Sequence, residues 1–98
     1  MLWVALHFPW LPPGTLEPVA AWACQFTPKV SLEPPQALLL EARGSLRHFG
    51  GREGLLGKLR AGLAEIGVEA DLATAPTARA ALWIARGGGR RLEEVPVE

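Results

Sequence analysis

Proline and glycine cut this chain into short pieces, and the periodicity inside each piece settles what it can become. Pro9 and Pro12-Pro13-Gly14 end the first apolar run, Pro28 ends the next, and Pro34-Pro35 separate two more. Gly44, Gly50 and Gly51 bracket a connection, and Gly67, Pro76 and Gly87-Gly88-Gly89 punctuate the remainder. No piece approaches the roughly 20 apolar residues of a membrane span.

Leu2 to Phe8 is apolar on both faces, which predicts a central strand. Thr15 reads as an N-cap with Pro18 in the first turn, and Leu16, Val19, Ala20, Ala23 and Phe26 recur at helical spacing. A helix is predicted from Thr15 to about Phe26. Lys29–Glu33 and Ala37–Arg43 read as strands joined by Pro34-Pro35-Gln36, because two prolines cannot donate to a ladder. In the second of these strands Leu38, Leu40 and Ala42 face one way, and Leu39, Glu41 and Arg43 the other. The next helix spans about Arg52 to Ile66 on a stripe of Leu56, Leu59, Leu63 and Ile66, widened by Leu55, with Gly67 as its stop. Val68–Thr74 is a fourth strand. Thr74 or Thr77, beside Pro76, then opens a last helix to about Arg86.

The order is β-α-β-β-α-β-α. It predicts an α+β fold, a ferredoxin-like βαββαβ antiparallel sheet with its helices on one face plus a C-terminal helix. The opposite face is left for a ligand, a partner or that added helix. Residues 1–89 form the predicted domain and residues 90–98 a loose polar tail.

A chain of 98 residues has room for one domain, so an enclosed catalytic cavity would consume most of its core. Ten basic side chains balance ten acidic ones, so polyanion binding needs a local cluster rather than an overall field. Cys24 is the single cysteine, which excludes an intramolecular disulfide; its place in Ala21-Trp22-Ala23-Cys24 predicts a buried, inert thiol. The N-terminus shows no export-signal pattern, and the expected location is cytoplasmic, with no membrane contact.

Strand phase places His7, Glu33 and Glu41 on the sheet face away from the first two helices, a set that would bind a divalent metal if it converged. Its spacing matches no ligand signature, and the competing reading is a solvated face. Two-metal phosphoryl transfer needs several carboxylates on ions about 4 Å apart, and Glu33 followed by Pro34 supplies one. No phosphate-binding loop, dinucleotide fingerprint or serine elbow occurs. RNA stacking on the sheet would need aromatics, which Ala37-Leu38-Leu39-Leu40-Glu41 lacks. Arg79 and Arg86 lie on one side of the last helix with Arg90 and Arg91 beyond. They are candidate DNA-phosphate contacts set against a plain solvated edge. That helix is apolar nearly all round, which makes Trp83 the candidate protein interface.

Several segments in order resemble the palm of Y-family translesion DNA polymerases, in particular the ImuB-like branch. The first strand through Pro9 resembles the family's opening acidic strand, and Phe26-Thr27-Pro28-Lys29-Val30-Ser31-Leu32-Glu33-Pro34-Pro35 the approach to its second acidic motif. Leu38-Leu39-Leu40-Glu41 followed by Gly44-Ser45-Leu46-Arg47-His48-Phe49-Gly50-Gly51 is the most specific match. Leu72-Ala73-Thr74-Ala75-Pro76-Thr77-Ala78 resembles the strand-to-helix corner where active relatives carry a lysine. At the family's acidic positions this chain has His7, Pro9, Glu33 and Pro34, and Ala78 replaces the corner lysine.

The resemblance therefore implies a catalytically degenerate palm, not an enzyme, associated with DNA repair and translesion synthesis in the DNA damage response. It implies no cofactor and no metal. Its implied contacts are DNA-repair or replication proteins, weak DNA binding, or a second copy of the chain. Only Pro9–Gly14 stands where the family inserts its fingers, and the thumb and little-finger domains have no counterpart. That pattern fits a trimmed piece, a gene remnant or a small stand-alone protein. The alternative is a stand-alone ferredoxin-like regulatory or ligand-binding dimerisation domain.

Overall fold

In the computed structural model, which describes residues 2–87, the predicted elements occur in the predicted order, with a 3-10 turn and a short helix added in the connection before Gly50 and the fourth strand shifted to Asp71–Ala75. They are β1 (Trp3–His7), α1 (Leu16–Ala23), β2 (Val30–Glu33), β3 (Ala37–Glu41), a 3-10 turn (Arg43–Ser45), α2 (Leu46–Phe49), α3 (Gly51–Ile66), β4 (Asp71–Ala75) and α4 (Ala78–Arg86). The predicted tail, residues 90–98, lies outside the described residues.

The sheet runs β2-β3-β1-β4 with every neighbouring pair antiparallel. This is the ferredoxin-like arrangement. β1 sits between β3 and β4, as its two apolar faces require, and Val4, Ala5 and Leu6 are fully buried. Val4, Leu6 and Phe8 join Leu38, Leu40 and Ala42 on one face, where α1 contributes Val19, Ala20 and Ala23 and α3 contributes Leu55, Leu59 and Leu63. The other face carries Ala5, Leu39, Ala73 and Ala75, and α4 lies across it through Ala81 and Ala85. The added helix occupies the face opposite α1 and α3, covering chiefly β1 and β4, while Ser31 and Leu32 of the edge strand β2 remain exposed.

Three local expectations are corrected. Cys24 is exposed, not buried. α1 ends at Ala23, and one further residue turns the side chain about 100° from the inward-facing Ala23. Thr15 stands at the N-cap position of α1, but its hydroxyl donates to the Pro12 carbonyl rather than accepting from the helix. The α3 stripe has the predicted direction, yet burial follows Leu55, Leu59 and Leu63, while Ile66 in the last turn remains 44% exposed.

Other signals were obeyed. Gly67, at φ +72°, stops α3, with Gly67 N–H donating to Ala64 O and Val68 N–H to Leu63 O. Thr77 caps α4, its hydroxyl accepting from Ala80 N–H at 3.2 Å.

Candidate functional site

Two ends of the sheet concentrate polar groups. At the first, register aligns Glu33, Ala37, His7 and Asp71 in one cross-strand row on the α4 side. His7 Nδ1 is buried without a hydrogen-bond partner, and Asp71 Oδ2 stands 3.7 Å away, an ion pair when the imidazole is protonated. Glu33 is two strands from His7, about 10 Å at the backbone. Glu41 shares the face but pairs with Trp3, four residues and about 13 Å along β3 from the row.

The three residues that strand phase put on one face are therefore on one face and do not converge. Among the described residues, no three His, Cys, Asp or Glu side chains form a group able to hold a metal ion. Among the described residues, Asp71, which sequence reasoning passed over, is the acid that pairs with His7. Only the β1–β4 register could have found it. The loop beyond β1 is held by Gln36, whose Nε2 donates to Phe8 O at 2.8 Å and Pro9 O at 3.1 Å. Pro34 lies in the β2–β3 turn next to Glu33, and Pro9 follows β1 two residues after His7.

The second end lies where β2 begins and β3 finishes. Thr27 is buried there, donating its hydroxyl proton to Glu41 O at 2.9 Å and accepting from Lys29 N–H at 3.2 Å. Thr27, Pro28, Lys29, Glu41, Arg43 and Ser45 line a groove. Leu2, Arg43, Leu46 and Arg52 line a second groove that meets the first at Arg43. Aromatic contacts hold this corner against the core, with Phe26 and Phe49 centroids 5.7 Å apart and Trp22 and Phe26 5.1 Å apart. Sequence reasoning missed the grooves. The available signal was the Arg43–Arg52 segment, with three arginines and no acid.

Arg79 and Arg86 are exposed on α4, and Arg90 and Arg91 lie outside the described residues. Trp83 is 59% exposed on the outer side of α4, because Ala81 and Ala85 supply the inward seam. Trp83→Gln is expected to change the unfolding free energy by no more than about 0.5 kcal/mol in urea melts. A loss near 3 kcal/mol would make Trp83 a core residue. No helix among the described residues is long and apolar enough to cross a membrane.

No family model matches this chain, and no solved structure is significantly similar to it. Over 82 residues, 84% of its length, it is 36% identical to Protein ImuB of Caulobacter vibrioides, from strain NA1000 / CB15N and from strain ATCC 19089 / CIP 103742 / CB 15 alike. The matched stretch is 18% of the length of each relative. The chain thus stands in an ImuB-like relationship along most of its own length while spanning less than a fifth of the curated proteins it resembles.

Proposed function

We propose that this chain is a non-catalytic, polymerase-palm-like module associated with DNA damage, working through contact with repair or replication proteins or with DNA. The observation that carries the reading is the make-up of the first sheet corner. His7, Pro9 and Pro34 stand where the resembled polymerases carry acids for two-metal phosphoryl transfer, and of those positions Glu33 alone keeps one. The corner's other carboxylate, Asp71, is on β4 at the opposite edge of the sheet from Glu33 on β2, about 14 Å away at the backbone, so the two cannot share ions about 4 Å apart. The likeness to ImuB supports the DNA-damage association that the family resemblance implies.

Two measurements test the proposal. Purified chain with a primed template, deoxynucleotides and magnesium or manganese is expected to give no extension; template-dependent extension by clean protein overturns the non-catalytic reading. Captured as bait from cells treated with a DNA-damaging agent, the chain is expected to enrich repair or replication proteins, and to enrich fewer of them as Trp83→Gln. Enrichment of metabolic enzymes alone would favour a regulatory domain.

A further inference from the structure

The chain is neutral overall, yet its positive charge is unevenly placed. Between residues 43 and 52 stand Arg43, Arg47 and Arg52 with no aspartate or glutamate. These three and Lys29 are all exposed. The one ion pair among the described residues joins His7 to Asp71, so none of these four cations is neutralised by a described carboxylate. Three of them line the two grooves that meet at Arg43: Lys29 on the first, Arg52 on the second and Arg43 on both.

A buried acid sets the orientation of this site. Glu41 is only 9% exposed and forms part of the first groove. Its Oε2 accepts the Arg43 N–H at 3.3 Å, which fixes the backbone from which the Arg43 side chain departs. A negative group there repels a phosphate from the depth of the groove and leaves the cations as its favourable positions.

We infer that the adjoining grooves bind a single strand of DNA, with Lys29, Arg43 and Arg52 meeting phosphates along its backbone. Cations strung along two grooves suit a chain of phosphates better than one phosphate, which a convergent cluster would hold. The cations sit at separate points along the two adjoining grooves, a path that a flexible single strand can follow by bending its backbone. No aromatic side chain lines either groove. Binding is therefore electrostatic, tolerant of sequence and steeply salt-dependent. The inference deepens the reading above by giving its DNA contact a place at the sheet end away from His7 and Glu33.

Fluorescence anisotropy with a labelled mixed-sequence single-stranded oligonucleotide tests it, starting from about 50 mM salt. The wild-type chain is expected to bind, and the double variant Arg43→Gln/Arg52→Gln to bind about tenfold or more weakly. The double variant's logarithmic salt slope should be shallower by about 1.4, two contacts at about 0.7 each. Arg79→Gln/Arg86→Gln should bind as the wild type does, and circular dichroism melts should coincide for all three proteins. Loss in the α4 variant with retention in the groove variant would overturn the groove while leaving a DNA-associated module standing. Tighter binding of the matching duplex, or displacement by inorganic tripolyphosphate as effective per phosphate as unlabelled strand, would overturn the single-strand assignment. Absence of wild-type binding would overturn the groove and leave protein contact as the module's route of action.

Discussion

Replacing Leu59 with alanine is expected to lower the unfolding free energy by about 2–5 kcal/mol. Leu59 is fully buried at the middle of α3, between Leu55 and Leu63, in the layer that meets Val4, Leu6, Leu38 and Leu40 of the sheet. Truncation removes its transfer free energy and leaves a cavity that close-packed neighbours fill only in part. Lys58 is the control, one residue away and exposed. Lys58→Ala should change stability by less than about 0.5 kcal/mol. Urea melts of the two variants are sufficient. Equal effects would mean that α3 is rotated from the orientation described.

The second large effect is expected where a helix is usually improved by the same change. Gly54 and Gly57 both lie in α3, one turn apart. A methyl group at Gly57 meets nothing within 4 Å, so Gly57→Ala should stabilise by about 0.5–1 kcal/mol through backbone entropy. A methyl group at Gly54 would overlap the backbone carbonyl of Phe49, because the chain reverses between α2 and α3 through Gly50 at φ +78° and Gly51 at φ +93°. A carbonyl in a tight reversal cannot swing aside as a flexible side chain can. Gly54→Ala should therefore destabilise by about 1–3 kcal/mol, the scale of overpacking in a tight site. Opposite signs for two chemically identical substitutions make the comparison sharp in either thermal or urea unfolding. Stabilisation by both would show that α2 does not fold back onto α3 as described.

Most of the fold could be read from the sequence because its signals were local. The prolines and glycines delimited the strands and helices, the doubly apolar Leu2–Phe8 run marked the central strand, and alternation in Ala37–Glu41 sorted Leu38 and Leu40 from Leu39 and Glu41. What failed depended on contacts between distant residues or on where an element ran out. Cys24 resembled its apolar neighbours, but the helix ended one residue before it. Ile66 fitted the apolar stripe, but burial ended at Leu63, one step short of the helix end. The candidate sites were less legible for the same reason. His7 lies beside Asp71 only through the β1–β4 register, and Glu33 and Glu41 are separated by register rather than by face. The basic grooves combine Lys29 from the α1–β2 connection, Arg43 from the 3-10 turn and Arg52 from the first turn of α3, and these segments are brought together only by the fold.

The two layers flanking the sheet differ in what holds them. On the α1 and α3 side, leucine, valine and phenylalanine interlock, and each loses much water-exposed surface on packing. On the α4 side the buried set is Ala5, Leu39, Ala73, Ala75, Ala81 and Ala85, five alanines and one leucine, with Trp3, Leu82 and Ile84 half-buried around it. Such a contact is close-fitting but thin in apolar area, and at about 0.8 kcal/mol per buried CH₂ it contributes far less. On this asymmetry, α4 is expected to part from the sheet at a lower free energy than the opposite layer opens, which amide exchange in α4 and α3 would show. Its departure would bare Ala5, Leu39 and Ala73 as a flat apolar strand surface, the kind that recruits other chains. The last helix thus acts as a lightly fastened cover whose absence would turn a self-contained domain into an adhesive one.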